Sequence, residues 1–203
     1  EQVETWPAVV GKLSTPTPVF AASIQSVTFN PWWYVPPSIV RSGGVGRRGY
    51  VHLPGGAVKQ PPGPRNALGK MKIEMPNPYS VYLHDTPARG LFTQAYRAYS
   101  HGCVRVGDAI GFAATLLADR YSRSQVDKLA GVLTPEERAA MARMSIPPQS
   151  ARQPGVRAAP ATPWPDEYKT QSVPLPAKLP VYVTYFTAAA GPDGTLKFSP
   201  DLY

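Results

Sequence analysis

"AYSHGCVRVGDAIGFAATLLADRYS", residues 98–122, is where the residue pattern changes character. Beyond Gly107, Ile110, Ala113, Ala114 and Leu117 fall at helical spacing, and Asp108 stands where an N-cap belongs. Most of the preceding chain alternates apolar and polar residues or is broken by glycine and proline. The pattern predicts a mainly β fold, with a few helices, and one helix directly behind Cys103, the only cysteine in the chain.

Upstream, "KMKIEMP" (70–76) and "YSVYLHD" (79–85) are consecutive alternating strands joined by a Pro-Asn-Pro turn, and the second ends on His84. "IQSVTFN" (24–30) is a further strand, with Ile24, Ser26 and Thr28 expected on one face and Gln25, Val27 and Phe29 on the other. "PWWYVPPSIVRSGG" (31–44) reads as an aromatic loop and a short helix opened by Pro36-Pro37 and stopped at Gly43. Residues 3–20 read as edge strands and a turn, because Pro16 and Pro18 cannot donate to a ladder. Residues 43–70 are crowded with glycine and proline, and only "GYVHL" (49–53) looks like a strand. Such a stretch is usually a functional loop or lid, or else disordered. Downstream, "LTPEERAAMARM" (133–144) predicts a helix with Thr134 as N-cap. Residues 145–180 are proline-rich and read as an extended segment, and 178–203 as a strand, a Gly-Pro-Asp-Gly turn and a second strand.

The 203 residues suit one sizeable domain, and 43% hydrophobic content without a long apolar run supports a core but no transmembrane segment. The sequence begins at Glu1 without a leader, so a mature or shortened form is expected, its export signal already removed. Twenty-five prolines favour strands and rigid loops over a helical bundle. The net charge of +8 favours a carboxylate-rich partner. No basic amphipathic helix or nucleic-acid-binding module is present, which argues against nucleic acid.

A lone cysteine is ordinarily a small buried hydrophobe. Here His101, Gly102 and Arg105 flank it, and both the cations and the following helix start would favour a thiolate. A nucleophile is the better reading. His101 is close in sequence but need not face the sulfur, whereas His84 ends a strand and is followed by "DTP", a turn able to fix its ring through Asp85 or a backbone carbonyl. Trp32, Trp33, Tyr34 and Tyr82 either line a cleft or pack in turns. His52 reads as a solvated loop histidine. A zinc site built from His52, His84, His101 and Cys103 is disfavoured, since His101 and Cys103 are too close for paired ligands and no second cysteine exists. No metal or cofactor is expected.

His84 with "DTP", separated by fifteen residues from Ser100-His101-Gly102-Cys103-Val104-Arg105, resembles the signature of the bacterial L,D-transpeptidase catalytic domain. "FNPWWYVPPSI" (29–39), "QPPGPRNALG" (60–69) and "LPVYVTYFTAAAGPDG" (179–194) are similar to the larger periplasmic branch of that family. The resemblance implies a single catalytic domain over 1–203, a β-sandwich of the family type, a lid loop over 41–68 and a periplasmic location. It implies Cys103 as nucleophile, His84 as general base, and His101 and Gly102 shaping the oxyanion region with the Cys103 amide. Arg105 would orient the thiol's surroundings or a stem-peptide carboxylate, and Tyr82, Trp32, Arg65, Asn66 and Ser100 would contact substrate. Peptidoglycan stem peptides are the implied partners, a donor tetrapeptide and an amine acceptor, with carbapenem β-lactams as covalent inhibitors. Resolution of the thioester by water, transfer to a protein lysine, and a non-catalytic module that holds cell-wall peptide all stay open at this stage.

Overall fold

A strand-to-helix switch after Cys103 is present in the structure, a computed structural model that describes residues 4–45, 49–132, 136, 168–190, 193–198 and 201–203. Strand β9 (Val104–Val106) is followed by helix α2 (Ala109–Leu116), whose N-cap Asp108 accepts a hydrogen bond from the Gly111 N–H. Ile110, Ala113 and Leu117 are buried, as the helical spacing requires, while Asp108 stays at the surface.

The principal sheet has seven strands in the order β10-β2-β6-β7-β9-β1-β8. These are β1 (Ala8–Gly11), β2 (Phe20–Phe29), β6 (Met71–Glu74), β7 (Leu83–His84), β8 (Ala98–Ser100), β9 and β10 (Gln171–Val183). Pairing is antiparallel except for β7 with β9 and β1 with β8. Three shorter strands, β3 (Trp33–Tyr34), β4 (Val51–His52) and β5 (Val58–Gln60), form a second sheet in the order β3-β5-β4. A hairpin of β11 (Ala188–Ala190) and β12 (Leu196–Phe198) lies near the end of the chain.

Helix α2 and the following α3 (Arg123–Leu129) contribute Ala109, Ile110, Ala113, Leu117 and Val126 to one core with Val27, Phe29, Met71 and Ile73 of the sheet. Burying a side chain of this size stabilises by roughly 1.5–3 kcal/mol. Polar groups pin α3 to the sheet. Lys70 Nζ donates to the carbonyls of Ala130 (3.2 Å) and Gly131 (2.8 Å), and Asn30 Nδ2 donates to that of Leu129 (3.1 Å), so carbonyls at the helix end are satisfied. Among the described residues no helix is long and apolar enough to cross a membrane.

Several elements differ from the sequence reading. Strand β1 is not an edge strand: it lies between β9 and β8, and its four residues are small enough to sit inside the sheet. In β2 the alternation slips, since Ile24 and Val27 are both buried although three apart. The slip falls beside the register shift between β2 and β10, where Pro174 and Leu179 pair with Ser26 and Ile24. The proline-rich stretch is not wholly irregular, because residues 171–180 belong to β10. That strand is at the sheet's edge, where Pro174, Pro176 and Pro180 need donate nothing. Residues 43–70 contain β5 as well as the expected strand over 51–52. Helix α1 (Pro37–Arg41) starts and stops as expected, with Gly43 at φ +75°. The helix expected over 133–144 lies outside the described residues except at residue 136, as do 145–167 and the Gly191-Pro192 half of the final turn.

Candidate active site

Cys103 sits on a three-residue arch. Strands β8 and β9 flank β1 on opposite sides, so His101, Gly102 and Cys103 must cross over the end of β1. Two strand spacings are about 9.6 Å, which three nearly extended residues just cover. The arch is tied down by the β1 side: Lys12 N–H donates to Ser100 O (3.0 Å), and Thr17 Oγ1 donates to Gly102 O (2.9 Å). Ser100 Oγ donates to Cys103 O (2.5 Å) and accepts from the Gly102 N–H (3.1 Å). Gly102 has φ +111°, a conformation that a side chain at this position would strain.

His84 arrives from the neighbouring strand. In the parallel pair β7–β9, Leu83 lies opposite Val104 and His84 opposite Arg105, and the Val104 N–H donates to Tyr82 O (3.1 Å). The imidazole is 5% exposed, and its Nδ1 donates to Asp85 O at 2.5 Å, which leaves Nε2 with the lone pair. Asp85 is itself fixed. Its Oδ2 accepts from the Lys70 N–H (2.8 Å), its N–H donates to Met71 O (3.0 Å), and Arg89 forms an ion pair with its carboxylate. Gly69 makes room for this: at φ +62°, a Cβ there would lie 2.3 Å from Asp85 Oδ2.

The two elements open into one cleft of about 260 Å³. Tyr82, His84, Ser100, His101, Cys103 and Arg105 form its polar side, and Trp33, Pro36, Ile39, Ala67 and Leu68 its apolar side, with Ser42 and Gly44 also at the wall. The Tyr82 ring meets His84 edge-on at 5.6 Å, the Tyr82 side chain hydrogen-bonds Cys103, and Lys72 Nζ stands 4.6 Å from the Tyr82 ring centre. The sulfur lies 4.0 Å from Ser80 O. Among the described residues no cluster of three or more His, Cys, Asp or Glu side chains is placed to hold a metal ion.

Electrostatics correct one expectation. Burial pushes the Cys103 thiol up from its ordinary value, outweighing the Tyr82 hydrogen bonds and the cations Lys72 and Arg105 that favour a thiolate. The helix dipole gives no close support, because all of β9 separates Cys103 from Asp108 and the effect fades within a turn. Burial also lowers His84 to about 4, helped by Arg105 and Lys72, despite the bond to Asp85 O. At neutral pH the resting pair is therefore a neutral thiol and a neutral imidazole. Arg105 is lowered by burial, and its Nε is buried without a hydrogen-bond partner. His101, largely exposed at the mouth, is lowered by desolvation and by Lys12 and Arg105.

Of the residues singled out from sequence, Cys103, His84, His101, Arg105, Tyr82 and Ser100 line the cleft. Gly102 shapes the arch, but its N–H is taken by Ser100, so it offers no free donor to an oxyanion. Trp32, Arg65 and Asn66 do not line the cleft. Lys59 covers the Trp32 ring at 4.2 Å, and the next residue, Trp33, faces the thiol cleft instead. Arg65 is exposed along a separate concavity of about 250 Å³. Asn66 is buried, with Nδ2 donating to the carbonyls of Pro31, Gln60 and Pro61 and Oδ1 accepting from the Leu68 N–H. Its amide shapes the loop that carries Ala67 and Leu68. His52 is on β4, exposed and away from the cleft. The sequence reading missed Ile39 and Leu68 as wall residues and the Lys72–Tyr82 contact. Only the strand alternation of Lys72, Ile73 and Glu74 pointed to a cation on that face.

A thiol on the arch that leads into β9 and a ring-fixed imidazole on the neighbouring β7 open into one part-apolar cleft, the arrangement that cysteine–histidine chemistry requires. The family model for the YkuD L,D-transpeptidase catalytic domain matches residues 1–126, and the chain belongs to that family. A segment of 54 residues, 27% of the chain, is 50% identical to a Haemophilus influenzae protein provisionally named L,D-transpeptidase. That match spans 11% of the relative's length. Among solved structures, an L,D-transpeptidase from Mycobacterium smegmatis aligns over 59% of this chain and 45% of its own, at 21% identity and a TM-score of 0.34.

Proposed function

We propose that the protein is a periplasmic L,D-transpeptidase that cross-links peptidoglycan stems through a thioester on Cys103. The observation that carries this is the only thiol of the chain sharing one cleft with an imidazole whose Nδ1 is already engaged. Nε2 is then the proton acceptor. As a donor tetrapeptide enters, the Cys103 proton passes to His84 and the sulfur attacks the carbonyl of the third residue. The Cys103 N–H faces the developing oxyanion. His84 then protonates the leaving nitrogen of the terminal D-alanine, and the thioester remains. An amine of a second stem resolves it and completes the cross-link.

Because burial holds the thiol neutral, proton transfer accompanies attack rather than preceding it. Arg105, which lines the same cleft and has a buried unpartnered Nε, steadies negative charge on the sulfur or on a stem carboxylate. Residues 41–45 and 49–68, together with α1, act as the cover over donor peptide. The +8 chain suits a polymer rich in carboxylates, which lies in the periplasm.

The test is incubation with defined tetrapeptide muropeptides and mass analysis of products, for wild type and Cys103→Ala. Loss of D-alanine with a cross-linked dimer is expected from wild type alone. The same dimer from the alanine variant refutes the assignment. Tripeptide without dimer would instead make the protein a hydrolase, a stem on a protein lysine would redirect the acceptor, and binding without turnover would leave a cell-wall peptide module. A carbapenem is expected to add its mass to the intact protein once, at Cys103.

A further inference from the structure

Thr17 is on no wall of the thiol cleft, yet it is bonded to the arch that carries Cys103. Side chains alternate along β7 and β9, so His84 and Arg105 face the cleft while Leu83 and Val104 face the opposite side of the sheet. There they border a separate concavity of about 490 Å³ together with Val10, Thr17 and Tyr203. The Thr17 hydroxyl accepts from the Gly11 N–H (2.9 Å) and donates its one proton to Gly102 O (2.9 Å). Thr17 is held in turn. Its N–H donates to Tyr203 Oη (3.3 Å), and that hydroxyl donates to Gly11 O (3.0 Å). The Tyr203 ring packs on Tyr185, just beyond β10, at 5.2 Å between centroids. Gly11 is needed for this closure, since a Cβ there would lie 2.2 Å from Thr15 O and 2.7 Å from the Thr17 nitrogen.

Ser100 Oγ holds the His101–Gly102 peptide through the Gly102 N–H and the Cys103–Val104 peptide through Cys103 O. The peptide between them, Gly102–Cys103, is tethered by the Thr17 hydroxyl. In a trans peptide the C=O and the following N–H point in opposite directions. Thr17 draws the Gly102 carbonyl toward the far side of the sheet, which turns the Cys103 N–H to the cleft side. Among the described residues that N–H makes no hydrogen bond. Glycine at 102, at φ +111°, would let this peptide swing if the tether were cut.

We propose that Thr17 is a positioning residue for acylation: braced by Tyr203, its hydroxyl keeps the Gly102–Cys103 peptide turned so that the Cys103 N–H meets the oxyanion. The inference rests on the acyl-transfer reading above and adds to it two residues outside the cleft. When the sulfur attacks, the carbonyl π pair moves onto oxygen, and an N–H already aimed there need not rotate as the charge forms.

The test compares two reactions of the same sulfur in the full chain. Acylation by a donor tetrapeptide, followed as thioester mass and released D-alanine, places charge on a carbonyl oxygen. Alkylation by iodoacetamide displaces iodide at a saturated carbon and needs no oxyanion donor. Thr17→Val keeps the side-chain shape without the hydroxyl, and is expected to slow acylation about 10- to 30-fold while alkylation stays within about twofold of wild type. Thr17→Ser restores the hydroxyl and should recover acylation to within about threefold; Tyr203→Phe, which keeps the ring on Tyr185, should lose about threefold in acylation alone. Wild-type acylation by Thr17→Val, or equal slowing of both reactions, overturns the proposal. Should the valine variant fail to fold, Tyr203→Phe decides, and an unchanged ratio of the two rates overturns it. If wild type itself forms neither thioester nor free D-alanine, the acyl-transfer reading fails and this inference fails with it.

Discussion

Replacing His84 with asparagine is expected to remove most of the acid sensitivity of the fold between pH 6.5 and 4. The buried ring binds a proton only below about 4, whereas in the unfolded chain it does so near 6.5. Unfolded protein thus takes up more protons in this window, so stability rises with pH. The contribution is complete above pH 6.5, drains as pH falls toward 4, and levels off below. At ~1.4 kcal/mol per tenfold change in proton affinity, the fall from 6.5 to about 4 corresponds to about 3 kcal/mol. For a domain of this size that is about 6–12 °C in Tm. Asparagine keeps a donor toward Asp85 O but cannot be protonated. Urea unfolding of wild type and His84→Asn at half-unit steps from pH 4 to 7 measures the difference in slope. The two curves are expected to diverge by about 3 kcal/mol. Parallel curves would refute the claim that the imidazole is held neutral by burial.

Because there is one thiol, iodoacetamide reports on Cys103 alone. The alkylation rate should climb at a higher pH than for an ordinary exposed thiol, and Arg105→Gln should move the midpoint higher still, since a cation favouring the thiolate is lost. A midpoint below 7 contradicts the geometry. Asn66→Ala leaves the carbonyls of Pro31, Gln60 and Pro61 without that donor and should lower stability by about 1–3 kcal/mol in urea; a neutral result would mean the amide does not hold the loop. Trp33→Ala should slow carbapenem acylation more than Trp32→Ala does, and equal effects measured by intact mass over time would show that the wall is misassigned.

The helix behind the cysteine was readable because its signals are local: one cap and four apolar positions. The same kind of signal exists for α3, where Ser122 and Gln125 form a reciprocal capping box, yet it follows α2 so closely that the two patterns merge. Insertion of β1 between β8 and β9 is a pairing across about ninety residues, which no local spacing encodes. Prolines in β10 pointed away from a strand, although an edge position satisfies them. At the site, Cys103 and Arg105 stand in one short run and His84 at the end of a nearby strand, so the three were legible in the sequence. Choosing Trp33 over Trp32 required the pairing of Trp33 with Gln60, and the polar look of Asn66 concealed a residue spent on the backbone. Burial, which only three dimensions supply, reversed the expected ionisation of the thiol.

Pro174, Pro176 and Pro180 also matter for how molecules of this protein meet one another. An open β edge is ordinarily a template onto which a stray strand can zip, and the outermost strand here is thirteen residues long. Three missing amide hydrogens and the offset after Pro174 interrupt that template at intervals too short for a foreign strand to gain a continuous ladder. Exchanging all three for threonine should leave the monomer folded yet make concentrated solutions assemble into fibrils.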